Sequence, residues 1–303
     1  MHPIKYSLLI PVRNEARRIV EVLTAAFADL GSRPDWEVCV ADDFSDDGTY
    51  ARLQELAASL PFRLLRPEKN LGRGPIRNWL AEQARGDILI FLDGDCLPLP
   101  GFFQAWENLD PDAVYIGKVG YESSPPNGFS RFMSEGAGVN KLRDKAEIPA
   151  AYFVSQNFRI AAQQFRKIGG FRADLRGWGG EDTDFGVKLK RLSLPLRFRR
   201  EAMVCHPIIA DLGGYLERLD HFGRENLPVL IADNPEFARQ FKLGAARFPY
   251  SIFFLNYPLF RLCRFLVTSI PSWTWPFPMY RYVIFNAYAR GFRQFTGPLS
   301  GPR

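Results

Sequence analysis

The run Ile88-Leu89-Ile90-Phe91-Leu92 is wholly apolar and stops abruptly at Asp93-Gly94-Asp95. It is too short to span a membrane and has the length of a strand buried on both faces. Its carboxyl end then carries two carboxylates separated by a glycine, at the edge where open α/β sheets bind ligands. Asp-Gly is also an ordinary turn. Two acids at such an edge can instead hold a divalent cation against a diphosphate, because Mg²⁺ takes one or two carboxylates together with substrate phosphates.

The surrounding chain repeats the pattern. Strands are predicted over Tyr6–Val12, Trp36–Asp42, Phe62–Arg66 and Asp87–Asp93, with helices over Ala16–Leu30, Thr49–Ser59 and Gly74–Ala84. Pro75 suits a first helical turn. This alternation points to βαβ units and a largely parallel sheet with right-handed connections. From about Pro98 the rhythm breaks. Ser123-Ser124-Pro125-Pro126-Asn127-Gly128 is a loop, and Arg176-Gly177-Trp178-Gly179-Gly180 leads into Glu181-Asp182-Thr183-Asp184 and a helix with Phe185, Leu189 and Leu192 on one face.

A chain of 303 residues, 47% hydrophobic, forms one large or two small domains with ample core. Lys and Arg outnumber Asp and Glu by 39 to 33, which suits an anionic partner. Nucleic acid is the weakest choice, since neither an RNA-binding aromatic signature nor zinc-finger spacing is present. Cys39, Cys96, Cys205 and Cys263 are scattered, as expected of free thiols in a reducing compartment. The early apolar run Tyr6–Val12 is too short for a signal-peptide core and lacks a small-residue cleavage site, so cytoplasmic residence is expected.

Several strand ends carry polar groups. Pro11-Val12-Arg13-Asn14-Glu15 suits a base or ribose, or else a helix N-terminus with Asn14 as cap and Glu15 meeting the dipole. Asp42-Asp43 closes the second strand, and one of these carboxylates can accept the imino N–H of a base. Asp46-Asp47-Gly48 reads as turn material. The cluster lacks the spacing of a calcium loop. Asn70-Leu71-Gly72-Arg73-Gly74-Pro75-Ile76-Arg77-Asn78 is not a Walker A loop. Its glycines can approach phosphate at a helix N-terminus, and Arg77 can reach a diphosphate bidentately or lie on the surface.

Together these strings resemble nucleotide-sugar glycosyltransferases of the family 2, GT-A type. The match rests on Pro11 to Glu15, Asp42 to Thr49, Asn70 with Gly72 and Arg77-Asn78, and Gly86-Asp87 through Asp93-Gly94-Asp95. It continues in Ser155-Gln156-Asn157-Phe158, Gly169-Gly170-Phe171 and Trp178-Gly179-Gly180-Glu181-Asp182, the last similar to galactosyl- and N-acetylgalactosaminyltransferases. The resemblance implies a Rossmann-like mixed, mostly parallel sheet flanked by helices, with a catalytic domain over 1–240 (nucleotide half about 1–97, acceptor half about 98–240). It also implies inverting transfer from a nucleotide-diphosphate sugar, a UDP-sugar first, to a hydroxyl of a glycan or polyprenyl-linked acceptor. Pro11, Arg13, Glu15, Asp42, Asp43, Arg77, Asp93 and Gly94 are then assigned to the donor. Asp95 becomes the main ligand of a divalent cation, Mn²⁺ or Mg²⁺, and Asp182 the general base. Trp178, Glu181, Gln156 and Asn157 are assigned to the acceptor. A lone histidine after an apolar run is more often structural, but related enzymes place a metal-ligating histidine at the position of His206. His221, near Arg218 and Arg224 on a predicted helix, reads as a surface residue. The chain departs from the family at Arg13, where Tyr or Phe is common, and at Ser155, where Gly is common. Neither departure is expected to touch a catalytic group.

Residues 241–303 differ in kind. Trp273, Trp275, Phe277, Tyr280, Tyr282 and Tyr288 alternate with Arg247, Arg261, Arg264, Arg281, Arg290 and Arg293. Prolines at 258, 271, 276 and 278 interrupt any membrane span. This helical extension suits an anionic membrane surface, placing the protein on the inner face of the cell membrane, or packing on the protein itself, or a homodimer contact. Two rival functions remain: a sugar-phosphate nucleotidyltransferase, which lacks its glycine-rich basic loop here, and a non-catalytic nucleotide or glycan-binding module.

Overall fold

Residues 3–123, 127–141, 147–175, 177–207, 212–246, 255–270 and 275–295 are described by the structure, a computed structural model. Ser124, Pro125, Pro126, Arg176, Arg247, Pro271 and Trp273 lie outside the described residues. The chain divides into two units. The first comprises Met1–Tyr121, Gly138–Ala173 and Glu181–Pro207, and the second Glu122–Ala137, Asp174–Gly180 and Ile208–Arg303.

The first unit is built on β1 (Tyr6–Val12), α1 (Ile19–Leu30), β2 (Trp36–Asp42), α2 (Thr49–Ala57), β3 (Arg63–Leu65), α3 (Arg73–Gln83), β4 (Ile88–Leu92), β5 (Leu97–Pro98), α4 (Phe102–Trp106) and β6 (Val114–Glu122). After α5 (Gly128–Arg131), which belongs to the second unit, it resumes with β7 (Asn157–Ala161), α6 (Ala162–Ile168), α7 (Glu181–Arg191) and β8 (Leu196–Pro207). The eight strands form one mixed sheet in the order β3-β2-β1-β4-β7-β6-β8-β5. Strands β3, β2, β1 and β4 are mutually parallel, as the strand–helix alternation requires, and β7 runs antiparallel between β4 and β6.

Alternate residues of the central strands feed two cores. Tyr6, Leu8, Ile10 and Val12 of β1 join Ile88, Ile90 and Leu92 of β4 on one face, against Ile19, Val22 and Leu23 of α1. Leu9, Leu89 and Phe91 point into the other, against Ile76 and Leu80 of α3. That second core is largely aromatic. Phe91 and Phe158 stack at 4.6 Å, and Phe185 of α7 lies 4.5 Å from Phe153 and 4.6 Å from Phe171. Each such ring buried is worth about 1.5–3 kcal/mol, so α7 is held by its Phe185 face.

Register sets the site. Val12 of β1 pairs with Asp42 of β2, so both strands end at one level. Leu9 of β1 pairs with Phe91 of β4, and Asn157 of β7 with Leu92. At the far edge Leu97 of β5 pairs with Cys205 of β8, which sets Asp95 and Cys96 beside His206.

Helix α1 begins at Ile19 rather than Ala16, because the preceding residues are held by the loop between β2 and α2. Asn14 adopts φ 58°, its N–H donates to Ser45 Oγ (3.0 Å), and its Oδ1 accepts from the Asp46 N–H (3.1 Å). The Glu15 N–H donates to Thr49 Oγ1 (2.8 Å), and the Ala16 N–H to Asp47 Oδ2 (3.2 Å). Asn14 therefore joins two loops and does not cap the helix, whose N-cap is Arg18. Asp47 is turn material, its Oδ1 accepting from the Thr49 N–H at 3.0 Å.

The second unit contains α5, α8 (Leu212–Asp233), α9 (Glu236–Gln240), α10 (Tyr257–Ser269) and α11 (Phe277–Gln294). Helices α8 and α11 cross through glycines. A Cβ on Gly223 would lie 2.1 Å from the Tyr288 carbonyl oxygen, and one on Gly291 would lie 2.0 Å from that of Asp220. Pro258 and Pro278 sit in the first turns of α10 and α11, where a missing N–H has no helical partner to lose. These prolines thus start helices. No helix among the described residues is long and apolar enough to cross a membrane.

Candidate active site

Strand ends from β1, β2 and β4, the end of β8 and the start of α7 carry the residues singled out in the sequence. The two aspartates closing β2 are used differently. Asp43 Oδ1 accepts from the Leu71 N–H (2.7 Å), while its Oδ2 accepts from the Gly72 N–H (3.0 Å) and Asn70 Nδ2 (2.7 Å). It is buried, and it anchors the loop that starts α3. Asp42 is wholly buried as well. Its Oδ2 meets Arg66 Nε at 3.1 Å and the Ser45 N–H at 3.2 Å, whereas its Oδ1 has no hydrogen-bond partner. Arg13 Nη1 donates to Asn70 Oδ1 at 3.2 Å.

At β4, Gly94 permits a close approach to β1. A Cβ there would lie 2.9 Å from Val12 Cγ2 and 3.2 Å from the Pro11 carbonyl oxygen. Arg77 is buried inside α3. Its Nη2 pairs with Asp93 Oδ1, its Nη1 donates to the Arg73 carbonyl (2.8 Å), and its guanidinium lies over the Phe171 ring. The guanidinium also feels the charges of Asp182 and Glu181. Asn78, one residue on, clasps Phe171 by both backbone groups, at 2.7 and 2.8 Å. Two distant motifs are joined there, and Gly170 at φ +65° has room only for hydrogen beside the Asn78 amide.

His206 Nε2 lies 3.1 Å from Asp95 Oδ2, and ligand atoms of Asp95, Cys96 and His206 all fall within 4.8 Å of one another. Burial pulls His206 down, but the hydrogen bond and charge of Asp95 outweigh it and raise the imidazole above its ordinary value. Glu15 faces the same cluster. Burial first, then the charge of Asp95, pushes its carboxyl up to about 7. The Asp95 carboxylate suits Mn²⁺ or Mg²⁺, and the His206 imidazole favours the transition metal of the two, Mn²⁺. The Cys96 thiol, missed in the sequence because Asp-Cys carries no ligand spacing, is held well above its ordinary value by burial and stays protonated.

Asp182 occupies the first turn of α7, where a helix N-terminus favours a carboxylate. Burial and the neighbouring Glu181 nevertheless push it up to about 7, against the opposing hydrogen bond from Ser155 and the charge of Arg77. Its Oδ1 has no hydrogen-bond partner. The family departure at Ser155 therefore does touch this carboxyl, contrary to expectation. Sequence alone cannot show this, because Ser155 and Asp182 meet only through packing. Gln156 lies beside Asp93, accepting its N–H at 2.9 Å and the Tyr121 hydroxyl at 2.7 Å. Asn157 is fully buried and donates to the Ala202 carbonyl at 2.9 Å, tying strands together. Trp178 belongs to the second unit, where it packs edge-on against Tyr215 with Arg218 over its ring. His221 is exposed on α8.

Residues 7–169 match the family described as glycosyl transferase family 2. The chain belongs to this family. Residues 140–206 of the glycosyltransferase also match the family described as the N-terminal domain of galactosyltransferase, a span that contains Asp182 and His206. The enzyme is 25% identical over 244 residues to glycosyltransferase AglE of Haloferax volcanii, covering 78% of each chain. It is 27% identical to the validoxylamine A glucosyltransferase of Streptomyces hygroscopicus subsp. jinggangensis, with 65% of this chain covering 54% of that protein. It thus spans about half the length of that relative. Among solved structures, the mannosyltransferase PcManGT from Pyrobaculum calidifontis, in complex with GDP-Man and Mn²⁺, aligns with a TM-score of 0.62 at 19% identity over 97% of this chain and 89% of that one. S. aureus TarS 1-349 in complex with UDP-GlcNAc aligns at 0.56 and 16% identity, covering 96% and 91%. These neighbours show the GT-A fold.

Proposed function

We propose that this glycosyltransferase moves a sugar, with inversion, from a UDP-sugar to a hydroxyl of a glycan or polyprenyl-linked acceptor, using a divalent cation. The observation that carries the reading is Asp182. Its carboxyl is half-buried and poised near 7, with one inaccessible oxygen unpartnered, in the same unit as the acidic edge at Asp93 to Asp95. An inverting single displacement needs a base for the acceptor proton and separate stabilisation of the departing diphosphate. A carboxyl near neutrality is matched to the first task.

Asp182 takes the hydroxyl proton as the acceptor oxygen bonds to the anomeric carbon and the bond to the diphosphate oxygen breaks. Glu181 and Gln156 orient the acceptor. Asp42 accepts from the base through its free oxygen, and Pro11, Arg13 and Glu15 line the nucleoside. Asp93 and Gly94 meet the ribose or sugar. Arg77 positions Asp93, and Asp43 positions the loop before α3. Asp95 and His206 would hold the cation, which when bound offsets charge on the diphosphate. The mannosyltransferase neighbour holds Mn²⁺ together with GDP-Man, which supports a cation in an enzyme of this fold. The donor nucleotides of the neighbours differ, GDP in one and UDP in another.

Calorimetric titration with UDP, GDP and dTDP, with and without Mn²⁺, tests the donor, and we expect UDP to bind most tightly and only with metal. Asp182→Asn should retain that binding while transfer falls by about 10²–10⁴-fold, the usual range for a general base. Undiminished transfer in that variant would remove Asp182 from the reaction. Binding without turnover in the unaltered protein, tested across donor sugars, would favour a non-catalytic module.

A further inference from the structure

Helix α10 presents an unusual surface. Of the seven large apolar side chains exposed among the described residues, five lie between Tyr257 and Ile270. Phe265 is 61% exposed, Leu262 55% and Tyr257 55%, with Leu259 and Ile270 also open. The opposite face, Phe260, Cys263 and Val267, is buried in the core of the second unit. With 3.6 residues per turn, Pro258, Leu262 and Phe265 form one outward strip. Arg261 and Arg264 flank it, both exposed. Asn256 caps the helix, accepting from the Leu259 N–H at 2.9 Å, so the exposed strip is part of a well-formed helix.

Charge is segregated along the chain in the same sense. Residues 237–303 contain no Asp or Glu and nine Lys or Arg, whereas the preceding 236 residues hold 30 basic against 33 acidic side chains. The whole positive excess of the protein therefore resides in the segment that carries α10. An apolar strip of this size is costly to leave in water, and exposed arginines beside it call for an anionic counterpart. A second copy of the chain would bring more arginines to face these, without any acid from the segment to meet them. A bilayer with anionic headgroups satisfies both needs, apolar side chains entering the acyl boundary and arginines meeting the phosphates.

We infer that α10 is an interfacial helix that docks this protein on an anionic membrane surface, with Leu262 and Phe265 inserted and Arg261 and Arg264 at the headgroups. This assignment is independent of the reading of Asp182. It places the enzyme on the surface where lipid-linked acceptors reside.

Sedimentation of the full chain with vesicles tests it. Binding is expected to vesicles containing phosphatidylglycerol and not to pure phosphatidylcholine, weakening as added salt shortens the range of the headgroup field. The exposed double variant Leu262→Asp with Phe265→Asp should bind about tenfold more weakly or worse, since two buried apolar side chains are lost. Arg261→Glu with Arg264→Glu should lose selectivity for the anionic lipid. Both variants should keep the circular dichroism and UDP binding of the parent. Equal binding by parent and variants, no binding to anionic vesicles, or competition by free glycerophosphate would each overturn the assignment. So would a concentration-dependent dimer, abolished by the same variants, in a protein that ignores vesicles.

Discussion

Asp42 and Asp43 are neighbours in the chain with different work to do. Asp43 satisfies two backbone N–H groups and an amide of the loop before α3, so Asp43→Ala should cost about 2–4 kcal/mol, read as a lowered denaturation midpoint. Asp42 keeps a free oxygen, so Asp42→Asn should weaken nucleotide binding with less effect on stability. Asp182 carries the pH prediction. Its carboxyl is raised to about 7, so the base form grows through neutrality and transfer should rise with pH along a limb near 7 rather than near 4. The sign for stability is opposite. A raised carboxyl is protonated in the folded state and ionised in the unfolded state across that interval, so the fold loses stability as pH climbs toward 7. Asp182→Asn should therefore melt higher than the parent at pH 8, without nucleotide or metal, and match it below pH 4. A melting difference that does not depend on pH would contradict the raised value.

At the scale of elements, α7 is placed by Phe185. The ring is buried among Phe153, Phe158, Phe165 and Phe171, and Gly186 lets the helix run close to the Ala150 carbonyl, 2.3 Å from where a Cβ would lie. Phe185→Ala should cost about 3–5 kcal/mol and lower kcat more than nucleotide affinity, because Asp182 moves while the strand ends do not. Thermal melts and steady-state kinetics on one preparation check both halves. In the second unit, Gly291→Ala drives a Cβ against the Asp220 carbonyl oxygen and should destabilise the α8–α11 pair by about 1–3 kcal/mol, seen as earlier proteolysis of that unit.

For the molecule as a whole, Asp95→Ala should remove Mn²⁺-dependent nucleotide binding and, without metal, lower the melting temperature modestly, since His206 loses its partner at 3.1 Å. Persistent metal dependence would move the cation elsewhere. All four cysteines are buried and free, as their scattered positions implied, so reducing agent should not alter activity or stability.

Local chemistry was legible in the chain. The strand spans, the carboxylates closing β2 and β4, the acidic first turn of α7 and the family itself all follow from contiguous residues whose period and turn chemistry act over a few positions. What tertiary structure decided is which of them meet. Strand pairing set Asp95 and Cys96 beside His206, and packing brought Ser155 to Asp182 and closed Asn78 on Phe171. It also turned Arg77 inward onto Asp93, sank Asn157 between strands and made Asn14 a loop clasp instead of a cap. Those outcomes depend on register and on the two cores that fix it, and neither is written in any single stretch of sequence.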